Sequence, residues 1–282
     1  MFKGYKEVVF NDDKMAQFYQ GDIKIDLDMF ENEYLVIRDE GGDIKDVRKF
    51  KNGEYKNLTY KHFKQNAIPD GYKPKDVYQK MLVDSLITDQ FTAISGGAGS
   101  GKSLWSLLYI LHQLEQGKAS KCVILFNPVK TRGVAEMGYY SGSQEEKTLQ
   151  QNIGNMLSSK MGKLTLTNMM SRETIQLVSM ADARGMEIKS DEILYITEAQ
   201  NSSSDIMGLC LSRVEEGAKV IIEGDYKAQV DNRAYANKSN GLIAAIELFS
   251  GKEMFSHVEL QNVYRSRIAE IAQQLIHGEH HD

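Results

Sequence analysis

At 282 residues, the chain suits one large domain, or a small domain attached to a core of ordinary size. Its 41% hydrophobic and 26% charged residues exclude a disordered chain, and a net charge of −5 excludes a protein coated in basic residues for nucleic acid. A local basic groove or a basic ring channel stays compatible with that charge. No apolar run is long enough to span a bilayer, and the opening Met1-Phe2-Lys3-Gly4-Tyr5-Lys6 is no secretory signal. Cys122 and Cys210 fit a reducing, cytoplasmic compartment as buried small hydrophobes, and two cysteines alone make no zinc pattern. The polar tail Gly278-Glu279-His280-His281-Asp282 reads as a fraying terminus, not a metal site.

In chain order, Tyr34-Leu35-Val36-Ile37-Arg38 is a short apolar strand before a turn at Glu40-Gly41-Gly42-Asp43. Residues 46–50 and 55–60 alternate on either side of Lys51-Asn52-Gly53-Glu54, which predicts a β-meander. This stretch gathers no catalytic residue types, and it reads as a β-module packed on the core or on a neighbouring subunit. Ala67-Ile68-Pro69-Asp70-Gly71-Tyr72-Lys73-Pro74 holds two of the three prolines and marks the domain boundary. The expected division is an N-terminal β-rich module over 1–70 and a larger domain over 71–282. A helix is predicted from Asp76 to Ile87. It carries Gln79, whose amide donor and acceptor suit an adenine edge as well as they suit plain surface.

The organising stretch follows. Phe91 to Ser95 reads as a buried strand. Gly96-Gly97-Ala98-Gly99-Ser100-Gly101-Lys102-Ser103 fits G-x-x-x-x-G-K-[ST], and Leu104 to Leu111 is an apolar helix. Glycines let successive N–H groups turn inward as an anion nest, and the helix N-terminus adds positive partial charge. Gly97, Ala98, Gly99, Ser100, Gly101, Lys102, Ser103 and Leu104 are the expected phosphate contacts. Lys102 would reach the terminal phosphates and Ser103 would hold Mg²⁺.

Cys122 to Phe126 is a continuous apolar run, hence a strand covered on both faces. Residues 128–162 read as loop and polar helix. Lys130, Arg132, Tyr139 and Tyr140 could grip a phosphate backbone and stack bases, or belong to an ordinary insertion. Residues 174–179 alternate as a strand. Ile193-Leu194-Tyr195-Ile196 is a buried strand with Thr197-Glu198-Ala199-Gln200-Asn201 at its exit. Ligands of open α/β sheets sit at the carboxyl ends of the strands. Glu198 is therefore placed to orient the attacking water. Thr197 stands where an Mg²⁺-holding Asp is usual. Asp191 and Glu192 cannot replace that Asp, since six or seven extended residues put them about 20 Å away.

Lys219 to Ile222 repeats the pattern, with Glu223-Gly224-Asp225 at its exit and Gln229 beyond. This strand is expected between the loop strand and the strand of Thr197, so that Glu223 supplies the carboxylate Thr197 lacks. A magnesium ion held by Ser103, waters and phosphates alone is the other reading. An amphipathic helix over 240–249, a strand over 257–260 and a helix over 268–276 complete the chain. Arg265, Arg213 and Arg184 compete to stabilise charge on the γ-phosphate.

Taken together, these residues resemble the PhoH-like ATPases, relatives of superfamily 1 helicases, over roughly 34–276. The matching stretches include Gly71-Tyr72-Lys73-Pro74 with Gln79, the phosphate loop, Met137 to Gly142, Ala183-Arg184-Gly185 and Glu198-Ala199-Gln200-Asn201. Ser212 to Lys219, Gly224-Asp225 with Gln229, Ser239 to Leu242 and Val263 to Ala272 close the match. The resemblance implies an α/β phosphate-loop core with a mostly parallel sheet, and an Mg²⁺-dependent ATP hydrolase linked to RNA remodelling or unwinding. It also implies Gln229 as γ-phosphate sensor, a homo-hexameric ring with a neighbour's arginine, and a channel for single-stranded RNA. It looks closest to proteins in which a PIN ribonuclease domain precedes the ATPase. The first 33 residues are too few for that domain, so ribonuclease activity is not implied. Thr197 and Glu223 depart from the family's Asp and Thr, and the loop to Gln229 is one residue longer. A slow or inactive ring-assembly module is the rival reading, and a small-molecule kinase a third.

Overall fold

The computed structural model describes residues 2–21, 27–59, 63, 72–127, 152–227 and 239–264. Two sheets share one core. The larger has six strands, all parallel, in the order β10-β5-β9-β8-β6-β7. These are β5 (Phe91–Gly96), β6 (Lys121–Phe126), β7 (Ile175–Ser179), β8 (Glu192–Ile196), β9 (Lys219–Gly224) and β10 (Phe255–Leu260). Most of their residues are apolar and buried nearly end to end, because helices cover both faces. One face carries α2 (Val77–Thr88), α3 (Lys102–Glu115), α4 (Asn152–Met161) and α5 (Lys163–Ser171). The other carries α6 (Ser204–Leu211) and α7 (Gly241–Phe249). As expected from sequence, β9 lies between the loop strand β5 and β8.

Three of these helices begin where a short polar side chain satisfies the first turn. Asp76 accepts from Gln79 N, Ser203 from Ile206 N, and Asn240 from both Leu242 N and Ile243 N. The predicted helix from Asp76 is therefore α2 with Asp76 as its cap.

The smaller sheet has the order β1-β2-β3-β4, from β1 (Tyr5–Val9), β2 (Tyr34–Arg38), β3 (Ile44–Lys51) and β4 (Glu54–Asn57). The last three form the expected antiparallel meander. The sequence reading missed β1, which pairs parallel with β2, and α1 (Asp12–Gln20) between them. Strand β2 is buried on both faces. Tyr34 and Val36 join the core shared with α2 and α3, while Leu35 and Ile37 pack with Phe10 under α1. The predicted boundary at 67–71, the segment 128–151, Gln229, Arg265, the helix over 268–276 and the histidine tail lie outside the described residues.

A buried polar network fastens this sheet to α2. The Tyr34 hydroxyl donates to Asp84 Oδ2 at 2.8 Å and is 3.0 Å from Met81 O. Lys49 Nζ lies 3.3 Å from Asp84, donates to Thr88 Oγ1 at 2.8 Å and pairs with Asp89. Removing one partner leaves the others buried and short of hydrogen bonds, which costs more than the bond is worth. Tyr34→Phe should lower the unfolding free energy by about 1–3 kcal/mol in denaturant titration.

Lys219, at the start of β9, closes the same end of α2. Its amino group is enclosed and donates to Leu86 O at 2.8 Å, to Asp89 O and to Thr92 Oγ1 at 3.2 Å. Burial pushes it down to about 7, with the Lys49 charge adding to the fall and Asp89 opposing it. Between about 7 and the ordinary 10.5, the unfolded chain keeps a proton that the folded chain has released. This group therefore makes stability rise with pH across that window. Lys219→Met should flatten that slope in thermal melts run from about pH 7 to 10.

Candidate nucleotide site

The loop between β5 and α3 is shaped by three glycines at positive φ: Gly96 at 145°, Gly99 at 87° and Gly101 at 105°. A Cβ on Gly96 would come within 2.7 Å of Leu260 O, so the loop strand and β10 close around a position only glycine fits. Ser100 N donates to Gly97 O, and Tyr264 N donates to Gly99 O at 3.0 Å. Lys102 Nζ folds back onto two loop carbonyls, Gly96 O at 2.6 Å and Gly97 O at 3.1 Å. The Gln79 amide supports the loop from beneath, donating to Ser100 O at 3.0 Å and accepting from Lys75 N at 2.9 Å.

In front of the loop opens a cavity of about 470 Å³, in the size range of small-molecule and cofactor sites. Tyr72, Lys73, Lys160, Glu198 and Tyr264 line it beside residues 98–105 of the loop and helix. Tyr264 is fixed by its hydroxyl, 2.5 Å from Asp76 Oδ2, and by Lys75, whose ammonium lies 4.7 Å from the ring centroid.

Opposite the loop, Glu198 is exposed and follows β8 in the left-handed conformation, φ 52° and ψ 40°. Its Oε2 accepts from Gln200 Nε2 at 2.5 Å. Gln200 is fully buried, and its Oε1 accepts from Asp225 N at 3.1 Å after β9. One amide thus ties the exits of β8 and β9 together. Gly224 permits this, because a Cβ there would lie 2.2 Å from Gln200 Oε1.

Glu223 is the least expected element of the arrangement in a buried sheet: a carboxylate 2% exposed, on β9. Ile196 pairs with Ile222, so Thr197 and Glu223 are the next neighbours across β8 and β9. Glu223 Oε1 accepts from Ser103 Oγ at 2.6 Å and Thr197 Oγ1 at 3.2 Å, and Oε2 from Ser106 Oγ at 3.2 Å. Burial pushes the Glu223 carboxyl up and the Glu198 charge adds to it, while the Ser103 bond and the Lys102 charge oppose the rise. The Tyr195 phenol, on the same face of β8 as Thr197, is held well above its ordinary value by burial and by the Glu223 charge.

The structure thus brings Gln79, the loop from Gly97 to Leu104, Glu198 and Glu223 into one region. Within one chain it does not bring Arg213 there. Arg213 follows α6, its carbonyl accepts from Ile188 N ahead of β8, and its buried Nε has no hydrogen-bond partner among the described residues. That is the amino edge of the sheet, away from the loop. Sequence reasoning missed Gln200, Ser106, Tyr195 and Tyr264. Two had a signal: Ser106 is three residues beyond Ser103 on a helix, and Tyr195 two before Thr197 on a strand.

A parallel sheet with a glycine loop leading into a helix, and acidic residues at neighbouring strand exits, defines a phosphate-loop nucleoside-triphosphate-binding protein. A family profile described as PhoH-like protein matches residues 72–277, and the chain belongs to that family. Protein PhoH2 of Bacillus subtilis is 28% identical over 98% of this chain and 64% of its own length. Protein PhoH2 of Mycolicibacterium smegmatis is 28% identical over 73% of this chain. The chain spans about half to two thirds of the length of these relatives, 47% for the second. Among solved structures, the large terminase of a thermophilic bacteriophage overlaps 72% of this chain and 50% of its own, at 10% identity and a TM-score of 0.43. The Pif1 helicase of Candida albicans overlaps 72% of this chain and 44% of its own, at 11% identity and a TM-score of 0.35. The fold assignment stands on the sheet order and the loop, not on these overlaps.

Adding a methyl group at Gly224 should displace Gln200 and loosen Glu198. Gly224→Ala is expected to cost about 1–3 kcal/mol of stability, read as a lower midpoint in urea.

Proposed function

We propose that the chain is an ATP-binding, Mg²⁺-dependent ATP hydrolase, coupled to remodelling or unwinding of RNA or another nucleic acid through its single-stranded form. The observation that carries the reading is Glu198, held by Gln200 at the strand exit and facing the cavity in front of the phosphate loop. Lys102 would exchange its two carbonyl partners for the terminal phosphates, and Glu198 would orient the attacking water. Gln79 would meet the base, Gln229 would sense the γ-phosphate, and Arg265, or Arg213 from a neighbouring subunit, would stabilise charge. An arginine supplied in trans needs a neighbouring subunit, for which the proposed assembly is a homo-hexamer, with the cytoplasm as its proposed location.

The residues present fit a magnesium ion. Among the described residues, no three His, Cys, Asp or Glu side chains converge as a cage. Magnesium characteristically keeps waters and uses phosphates with one or two protein oxygens. Ser103 donates a hydrogen bond to Glu223, which leaves its oxygen lone pairs for a cation. When bound with the nucleotide, the ion would neutralise charge on the phosphates.

Steady-state hydrolysis, with and without single-stranded RNA, tests the proposal. RNA should stimulate wild-type turnover. Glu198→Gln should lower kcat by about 10²–10⁴-fold while nucleotide still binds. The rival, a nucleotide-binding module that holds a ring together, is favoured by Thr197, which leaves β8 without a carboxylate at that position. Tight binding with negligible turnover in both proteins would establish the rival.

A further inference from the structure

Glu223 is enclosed on β9 and is not among the residues lining the cavity, whereas Ser103 is. The carboxylate therefore meets the site through the serine. The Ser103 hydroxyl can rotate, and without an acceptor behind it nothing in the protein directs its lone pairs towards the site before a cation arrives. A fixed acceptor 2.6 Å behind it removes that freedom. The acceptor must itself be fixed. A glutamate has three side-chain torsions, and such a chain stays mobile unless neighbours hold it.

Two hydroxyls do so from different elements. Thr197 at the exit of β8 shares Oε1 with Ser103, and Ser106, one turn along α3, takes Oε2. Ser106 Oγ lies 3.1 Å from Lys102 O within its own helix and 3.2 Å from Glu223 Oε2, so its one proton is shared between the two acceptors. Of the roughly four acceptor positions on a carboxylate, Ser103 and Thr197 use two, and Ser106 shares a third with Lys102 O. The plane of the carboxylate is set from both sides.

We propose that Glu223 acts through Ser103, accepting its hydrogen bond so that the serine oxygen lone pairs face the metal. We further propose that Thr197 and Ser106 are positioning residues that hold Glu223 in that role. Thr197 is then part of the metal machinery and not a vacancy in it. This inference rests on the reading of Ser103 as the protein's ligand to Mg²⁺. It adds that the carboxylate stands one layer behind, where the loss of such a partner typically lowers metal affinity by about 10–100-fold.

The test is binding of a non-hydrolysable ATP analogue to the full chain by calorimetry, in EDTA and across a Mg²⁺ titration. The readout is the ratio of affinities with and without metal. A thermal midpoint in EDTA, recorded for every variant, shows whether it has folded. Ser103→Ala should abolish the Mg²⁺ enhancement. Glu223→Gln should raise the Mg²⁺ concentration needed by about 10–100-fold. Thr197→Val and Ser106→Ala should each raise it several-fold, and Thr197→Ser should restore it. A general loss of packing would lower the EDTA midpoint of Thr197→Val without moving the ratio. Folded Thr197→Val and Ser106→Ala proteins with wild-type ratios, beside an altered Glu223→Gln, would overturn the positioning role alone. A wild-type ratio in Glu223→Gln with an altered Ser103→Ala would remove the carboxylate from the mechanism. A wild-type ratio in Ser103→Ala would overturn the reading of Ser103 as the metal ligand, and no binding of the analogue by the wild-type chain would overturn the nucleotide-site reading itself.

Discussion

Putting a carboxylate inside a sheet is costly unless its oxygens are hydrogen-bonded, and that constraint organises the centre of this protein. Glu223 is buried on β9, and the donors that satisfy it come from α3 and from the residue after β8. The parallel order β5-β9-β8 makes this possible, because it sets β9 between the strand that enters the phosphate loop and the strand that ends at Thr197. Three segments far apart in sequence are thereby held to one side chain. The same contacts fix the rotation of the first turn of α3, and with it the direction of Lys102 and Ser103.

The large sheet was legible because its strands are doubly covered. Continuous runs such as Cys122 to Phe126 and Lys219 to Ile222 have few alternatives, and glycine or polar residues close each one. Elements whose pattern is set by weaker burial were not legible. Helix α1 fully buries none of its residues, and its apolar face is short, with Met15 and Phe18 half-buried against Phe10, Leu35 and Ile37; Asn11 as its cap and Gly21 at its end mark it. Strand β1 alternates, but its partner β2 lies beyond α1 and runs parallel, where a hairpin rule finds nothing. Helix α5 begins Lys163-Leu164-Thr165-Leu166-Thr167, which alternates and offers no apolar stripe at helical spacing, and only Leu166 is buried.

In the site, the residues with a fixed spacing were legible and those defined by contact were not. The phosphate loop follows from its glycines and lysine, and Glu198 and Glu223 from their places at strand exits. The neighbour relation of Thr197 and Glu223 could be argued from strand order alone. Gln200 could not, because its importance comes from bridging two exits at once, which depends on the left-handed turn at Glu198 and on the bare Cα of Gly224. Gln79 carries a contact beyond its sequence reading: one face of its amide is engaged by the loop carbonyl of Ser100 and the amide of Lys75. An amide has two donor hydrogens and an acceptor oxygen with two lone pairs, so loop support leaves capacity for a base edge.

The small sheet gains its significance from α2. One end of that helix is held by Tyr34, Lys49 and Lys219, through Asp84, Asp89 and the last carbonyls. The other end begins at Asp76, whose carboxylate caps the helix and also receives the Tyr264 and Asn262 side chains from the exit of β10. Gln79 sits one turn in and touches the phosphate loop, and Met81 and Asp84, within two turns of it, touch Tyr34. One short helix thus carries contacts to the phosphate loop, to β2 and to the exit of β10. The N-terminal sheet is joined to the nucleotide site through α2, although it contributes no residue to the loop.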